Sequence, residues 1–165
     1  MARCDACGGG FVQNSGRGRK ARFCRPSCRV AWHRSHRIPD VMRAGSRWTR
    51  ADGKRPIEPN GRPASSTNRR TWHTFAEVQS GSGDGFGIML GSGLGCYDLD
   101  HVTDVHAREI LAEIPERIVF AERSMSGAGV HVFVEAPEGP GRRRDGIERY
   151  TRARFIRVTG VPFRG

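Results

Sequence analysis

Residues 94–135 read LGCYDLDHVTDVHAREILAEIPERIVFAERSMSGAGVHVFVE, and the order of patterns in this stretch decides the fold. LGCYDLD is apolar with polar residues at its end, a strand. Residues 104–114 carry apolar side chains at 105, 107, 110, 111 and 114, the spacing of one helix face, and Pro115 marks the stop. IVFAE (118–122) and VHVFVE (130–135) are strands flanking a Ser/Gly turn. Upstream, GFGIML (85–90) is a further strand, joined to 94–100 by Gly91-Ser92-Gly93 and so predicted to form a hairpin with it. Downstream, GIERY (146–150) and RFIRV (154–158) are predicted to form a last strand pair. Ser65-Ser66-Thr67-Asn68 resembles a helix start, with Trp72, Phe75 and Val78 on one face of the turns that follow. This is an α+β pattern, a mainly antiparallel sheet with one or two packed helices.

The chain has 165 residues, enough for one domain and a small appendage. It carries 28 basic and 17 acidic side chains, a net charge of +11. Only Lys20 and Lys54 are lysines. The first 60 residues hold 14 basic and 4 acidic groups, the remainder 14 and 13. A basic arm on a near-neutral body points to a polyanion, most simply nucleic acid. With no apolar run of membrane-spanning length and no signal-peptide core, the expected setting is soluble and cytoplasmic.

Four of the five cysteines lie in the basic arm: Cys4, Cys7, Cys24 and Cys28. Two close pairs separated by a short glycine-rich loop suit one tetrahedral Zn²⁺, and metal binding would supply folding energy that so small a segment lacks. In an intracellular chain this outranks a disulfide pair. Four thiolates leave no open position, so the zinc is structural. A short basic helix is expected after Cys28, with Val30 and Trp32 closing over the metal; His33 and His36 are alternative ligands. The expected division is a Cys4 zinc-binding module over 1–37, a linker over 38–47 and a catalytic domain over 48–165. The fifth cysteine, Cys96, lies in a strand and is expected in the core.

Three features of the body carry chemistry. Asp98-Leu99-Asp100 ends a strand, and a period of two puts both carboxylates on one face. Side-by-side carboxylates repel unless a cation lies between them, and hard oxygen donors suit Mg²⁺ or Mn²⁺. Ser126, Gly127 and Gly129 form a turn whose backbone could approach a phosphate, and His131 follows just inside the next strand. Glu148 adds a third carboxylate in a late strand. Three carboxylates can hold two divalent metals, which activate a 3′-hydroxyl and neutralise a triphosphate during in-line displacement.

From about Trp48 to Gly160 the chain resembles the primase-polymerase domain of phages and plasmids, in the archaeo-eukaryotic primase superfamily. The matching pieces stand in family order. They are Lys54-Arg55-Pro56, Ala64 to Asn68 with Thr71-Trp72, Asp98-Leu99-Asp100-His101, Ser126 to His131, Ile147 to Tyr150 with Arg154-Phe155, and Thr159-Gly160. The resemblance implies an RRM-like catalytic sheet. It implies that Asp98, Asp100 and Glu148 bind the metals and that His131 contacts the incoming nucleotide with Ser126 beside it. The implied reaction is template-directed nucleotidyl transfer on single-stranded DNA from nucleoside triphosphates. Arg17, Arg19, Lys20, Arg22, Arg25 and Arg29 would then meet template phosphates.

Family domains usually continue past the point where this sequence stops, so a separately encoded partner, a primase C-terminal part or a helicase, is a further expectation. Two other readings stay open on the residues alone. One is a DNA-binding accessory subunit without activity of its own; the other is a metal-dependent nuclease using the same carboxylates.

Overall fold

A computed structural model describes residues 1–13, 18, 20–35 and 38–164, the side chains of 33–35 excepted. The chain divides into two compact units, Met1–Arg37 and Ile38–Gly165. In the first, β1 (Ala2–Arg3) pairs antiparallel with β2 (Gly10–Phe11), and α1 spans Pro26–Ser35. Proline is tolerated in a first helical turn, where its missing N–H has no intrahelical partner to lose. The helix therefore begins before Cys28 and carries it. Trp32 packs on Phe23 at 5.7 Å, with the Arg22 guanidinium 4.6 Å above its ring. Val30, expected to close over the cysteines with Trp32, is instead exposed.

The second unit runs α2 (Asp40–Arg43), β3 (Ser46–Asp52), β4 (Arg55–Ile57), β5 (His73–Thr74), β6 (Gly85–Met89), β7 (Leu94–Leu99), α3 (Asp104–Glu113), β8 (Ile118–Arg123), β9 (Val130–Glu135), β10 (Arg142–Arg144), β11 (Ile147–Tyr150) and β12 (Phe155–Val158). These strands form two antiparallel sheets. One has the order β10-β11-β7-β9-β8; the other is β12-β6-β3-β4, with β5 also paired to β3. The fold is thus mixed, mostly antiparallel, with few helices.

Two strand pairings differ from the sequence expectation. β6 and β7 lie in different sheets, and only a single bridge between Gly91 and Leu94 closes the turn between them. Likewise β11 pairs with β7 and β10, while β12 pairs with β6. Sequential strands usually pair, but here both turns carry the chain across from one sheet to the other. The helix expected after Ser65 is also absent. Polar side chains capture the backbone there: Asn68 Oδ1 accepts from Arg70 N at 3.2 Å, and Thr71 Oγ1 donates to Asn68 O at 2.8 Å. Such local bonds compete with a helix, and only isolated 3₁₀ turns at Arg69–Thr71 and Glu77–Gln79 remain.

The sheet β10-β11-β7-β9-β8 is covered on both faces. Trp48, Ile88, Leu90, Ile156 and Val158 of the other sheet pack against Cys96, Phe120 and Phe133. On the opposite face Ala107 and Ile110 of α3, with Phe163, meet Leu99, Val130, Val132 and Val134. Covering on both sides explains why β9 is buried at every position but its last. Helix α3 has the expected limits; Thr103 Oγ1 caps it by accepting from His106 N at 3.2 Å. Ile38 and Met42, within the stretch expected to be a linker, are core residues, and the Trp48 indole N–H donates to Met42 O at 2.9 Å. No helix among the described residues is long and apolar enough to cross a membrane.

Arg50 is buried with no carboxylate partner among the described residues. Its guanidinium donates to three carbonyls, Ser82 O at 2.8 Å, Gly83 O at 3.0 Å and Val78 O at 3.3 Å, and so ties the 78–83 turn to β3. Arg50→Met keeps the aliphatic stem and strands these acceptors. Urea unfolding is expected to show a loss of about 2–4 kcal/mol. An unchanged midpoint would show that the fork is dispensable.

Candidate active site

The site follows from the register of one sheet. Glu148 of β11 stands opposite Asp98 of β7, Asp98 opposite His131 of β9, and His131 opposite Glu122 of β8; on the outer edge Arg143 of β10 stands opposite Glu148. Directly opposed residues in antiparallel strands share a face. The result is a transverse row, Arg143–Glu148–Asp98–His131–Glu122, crossing all five strands. It shares its face with Cys96 and Phe133, so it continues the apolar layer between the sheets as a polar edge. Exposure falls along the row, from 76% at the Arg143 side chain through 19% at Glu148 and 17% at Asp98 to 0% at Glu122.

Asp98 and His131 line a cleft of about 390 Å³ together with Asp100, Ser126, Lys54 and Arg157. His131 Nε2 lies 3.6 Å from Asp98 Oδ1. Burial pushes the Asp98 carboxyl above the ordinary carboxylate range; His131 opposes that shift, and the charges of Asp100 and Glu148 add to it. Asp100 lies just past the end of β7 and is exposed. The carboxylate of Glu148 is engaged beside the cleft: the Tyr150 hydroxyl donates to it at 2.7 Å, and Arg143 Nε lies 3.4 Å away. Asp98 and Glu148 therefore sit on adjacent strands with Asp100 just beyond the end of one, and among the described residues the three carboxylates do not form a close-set cluster as the arm thiols do.

The Ser/Gly turn is closed by its own hydrogen bonds. Gly127 N donates to Ser124 O at 3.0 Å, Ala128 N faces Ser126 Oγ at 3.3 Å, and Gly129 N donates to Ser124 Oγ at 3.1 Å. These amides are used within the turn, and Ser124, Met125 and Ser126 line the cleft. Gly129 is required by a close approach: a Cβ there would lie 2.6 Å from Leu99 O. Its bareness lets the turn lie against the end of the carboxylate strand. Across the cleft, Arg157 donates to Gly53 O at 2.8 Å and to Asp84 Oδ1 at 2.7 Å, which fixes that wall and holds the Asp84 carboxyl below its usual range.

In the N-terminal unit the Sγ atoms of Cys4, Cys7, Cys24 and Cys28 all lie within 4.8 Å of one another. This is the one close-set group of metal-ligating side chains among the described residues. The Cys24 backbone N–H pulls the Cys4 thiol down to about 6, while the hydrogen-bonding Cys28 thiol pushes Cys24 up to about 12. Four thiols this close cannot all ionise unless a cation joins them. Of the basic residues expected to meet DNA, Lys20, Arg22, Arg25 and Arg29 are exposed. Arg22 pairs with Asp5 at 2.7 Å and stacks on Trp32, and Arg25 leans on the Cys28 thiol. Arg17, Arg19 and His36 lie outside the described residues, as does the side chain of His33.

Residues 29–160 match the family model described as bifunctional DNA primase/polymerase, N-terminal. The chain belongs to the bifunctional DNA primase/polymerase N-terminal family. A phage relative, the DNA primase-polymerase of Nitratiruptor phage NrS-1, is 33% identical over 135 residues. That alignment covers 69% of this chain and 18% of the relative, so the chain spans less than a fifth of that protein. The primase/polymerase match includes every member of the cross-strand row and begins after the last of the four arm cysteines.

Sequence reading missed Glu122, Ser124 and Tyr150. For Glu122 a signal existed: it has the same strand phase as Phe120, so an acid stands at a core position of an apolar strand. Tyr150 shares the phase of Glu148 in β11 in the same way.

A raised carboxyl value in the folded state favours folding most at acid pH; that contribution declines as pH rises through the folded value. Asp98→Asn, which mimics the protonated group, is therefore expected to be harder to unfold than the unsubstituted protein near neutrality, with chelator present. The difference should vanish below the ordinary carboxylate range. Urea midpoints at the two pH values test this; equal midpoints near neutrality would show that burial of Asp98 imposes no cost.

Proposed function

We propose that this chain is the catalytic part of a phage-type primase-polymerase, joining nucleotides on a single-stranded DNA template. The observation that carries this reading is the cleft itself. One wall presents Asp98 and Asp100 with His131, and the facing wall presents Lys54 and Arg157. A ligand that suits both walls carries cations and phosphates together, as a metal-bound nucleoside triphosphate does.

Asp98, Asp100 and Glu148 would hold Mg²⁺ or Mn²⁺, and hard oxygen donors beside a desolvated, mutually repelling carboxylate fit that ion class. When bound, the ions lower the pKa of a 3′-hydroxyl and neutralise phosphate charge. The chain's own residues orient the nucleotide. His131 Nε2 and the Ser126 hydroxyl would meet the triphosphate, with Lys54 and Arg157 adding charge. Gly127 and Gly129 shape the turn that carries Ser126. The sheet β11-β7-β9-β8, with α3 on one face, would be the RRM-like catalytic sheet, within a catalytic domain over 48–165. The four arm thiols would hold a structural Zn²⁺ in a module over 1–37. Lys20, Arg22, Arg25 and Arg29, with Arg17 and Arg19, would contact template phosphates. A separately encoded subunit is part of the same proposal.

The test is nucleotide incorporation on single-stranded DNA with Mg²⁺ or Mn²⁺, both nucleotide classes, and primed and unprimed templates. Asp98→Ala with Asp100→Ala is expected to lower incorporation by at least about a thousandfold, as loss of metal-held charge stabilisation does. DNA binding without synthesis would favour the accessory reading. Shortening of DNA without nucleotides would favour the nuclease reading. For the arm, metal analysis is expected to find one Zn²⁺ per chain, lost in Cys28→Ser. A zinc-free protein that binds DNA unchanged would remove the metal from the proposal.

A further inference from the structure

The Thr71-Trp72 pair has no place in the reading above, yet Trp72 borders a second cavity of about 190 Å³. Arg47 of β3, Arg69 and Ser92 line it as well. Arg47 Nη1 donates to Gly91 O at 3.1 Å, and Arg69 Nη2 donates to Ser92 Oγ at 3.1 Å. The Arg69 guanidinium also lies 5.4 Å from the centre of the Trp72 ring, a cation–π contact. The indole N–H donates to Ser65 O at 2.8 Å, which fixes that ring. Two guanidiniums are thus held at one small cavity beside an aromatic surface.

Among the described residues neither arginine pairs with a carboxylate. Glu138 reaches the same turn but accepts from Ser92 N at 2.7 Å. Arg47 is half-buried. Its burial pushes the guanidinium below its ordinary value, and the charge of Arg69 adds to that shift. Bracing the turn uses one N–H of each guanidinium, and neutral donors could do as much. Two like charges brought together without a counter-charge are explained by an anion between them, which a pair of guanidinium forks suits. Position tells which anion. Met89, which also lines the cavity, stands opposite Phe155 of β12, which lines the active-site cleft. Opposed residues share a face, so cavity and cleft adjoin across one strand pair. The 64–72 segment borders both, with Ser66 at the cleft and Arg69 and Trp72 at the cavity. A polymer with repeated phosphates can occupy both places at once, and basic groups interleaved with an aromatic ring are the surface that single strands use.

We propose that the Arg47–Arg69–Trp72 cavity is a binding site for single-stranded DNA, with one phosphodiester held between the two guanidiniums and the Trp72 ring flanking the adjacent sugar and base. That this strand is the template on its way to the cleft rests on the function proposed above; the site for a single strand does not.

Proton–nitrogen NMR of the unsubstituted full chain reads the site without any variant. Oligothymidylate is expected to shift the Trp72 indole N–H and the Arg69 Nε–H. Signals that stay silent overturn the proposal. An equal response to inorganic triphosphate or to polyglutamate would mean a site for any anion, and would overturn it too. Arg69→Gln is expected to weaken oligothymidylate binding by about fivefold and to flatten the slope of log affinity against log salt by about 0.7, the share of one phosphate on a single strand. Trp72→Leu is expected to weaken binding by about fivefold or more. Unchanged affinity and slope in Arg69→Gln would mean that the arginine only braces the turn, and would overturn the proposal. In the incorporation assay Arg69→Gln is expected to raise the KM for template and not that for nucleotide; the reverse would assign the cavity to the triphosphate and overturn it. If the chain binds the oligonucleotide at these residues yet joins no nucleotides, the proposed function fails and the site stands. Synthesis with silent signals means the opposite.

Discussion

The pairing of β7 with β9 is the constraint on which the rest of the site depends. It sets Asp98 opposite His131, and the neighbouring pairings extend that line to Glu148 on one side and Glu122 on the other. A slip of one residue would turn every one of these side chains to the opposite face. The register is protected by burial on both sides. Cys96 and Phe133 must face the second sheet, while Leu99, Val130 and Val132 must face α3. The apolar alternation that stabilises the core therefore also aligns the polar row, and the site needs no separate device to assemble it.

Charge along the row is handled by position. The outermost member, Arg143, meets solvent and needs little compensation, so its pairing with Glu148 contributes little to stability. The innermost member is fully buried and is compensated by backbone N–H groups and the imidazole. Asp98 sits between these extremes. Burial and two like charges act on it, and His131 only partly offsets them. Its environment favours its neutral form. A cation would reverse that preference, which is why the least comfortable carboxylate is also the best placed to bind one.

Much of this was legible in the sequence. The phase of Asp98 and Asp100, the place of His131 just inside a strand, the limits of α3 and the thiol cluster all follow from spacing and period. What spacing does not carry is which strands pair. Gly91-Ser92-Gly93 has the composition of a hairpin turn, yet it hands the chain from one sheet to the other. The same is true of the connection after Tyr150. Both transfers are decided by tertiary packing, by Ile88 and Ile156 filling one layer while Cys96 fills the facing one. Glu122 was overlooked for a related reason. Its partners Thr159 and Gly160 are remote in sequence and are brought to it where residues 161–163 bond to Ala121 and Arg123 beside the bridge between Glu122 and Pro162.

The two transfers also explain the character of the cleft. Had β6 and β7 formed a hairpin, their side chains would share one sheet, and the basic groups could not face the acids. Because the chain crosses over, Asp98 and His131 come from one sheet, whereas Arg157 lies on β12 and Lys54 in the turn between β3 and β4 of the other. A wall of like-charged carboxylates alone would bind cations, and a basic wall alone would bind any polyanion. Set face to face, each wall disfavours the simple ligand of the other. Such a cleft selects a ligand carrying both signs of charge in a fixed arrangement, so its specificity comes from the separation of the two sheets rather than from any one residue.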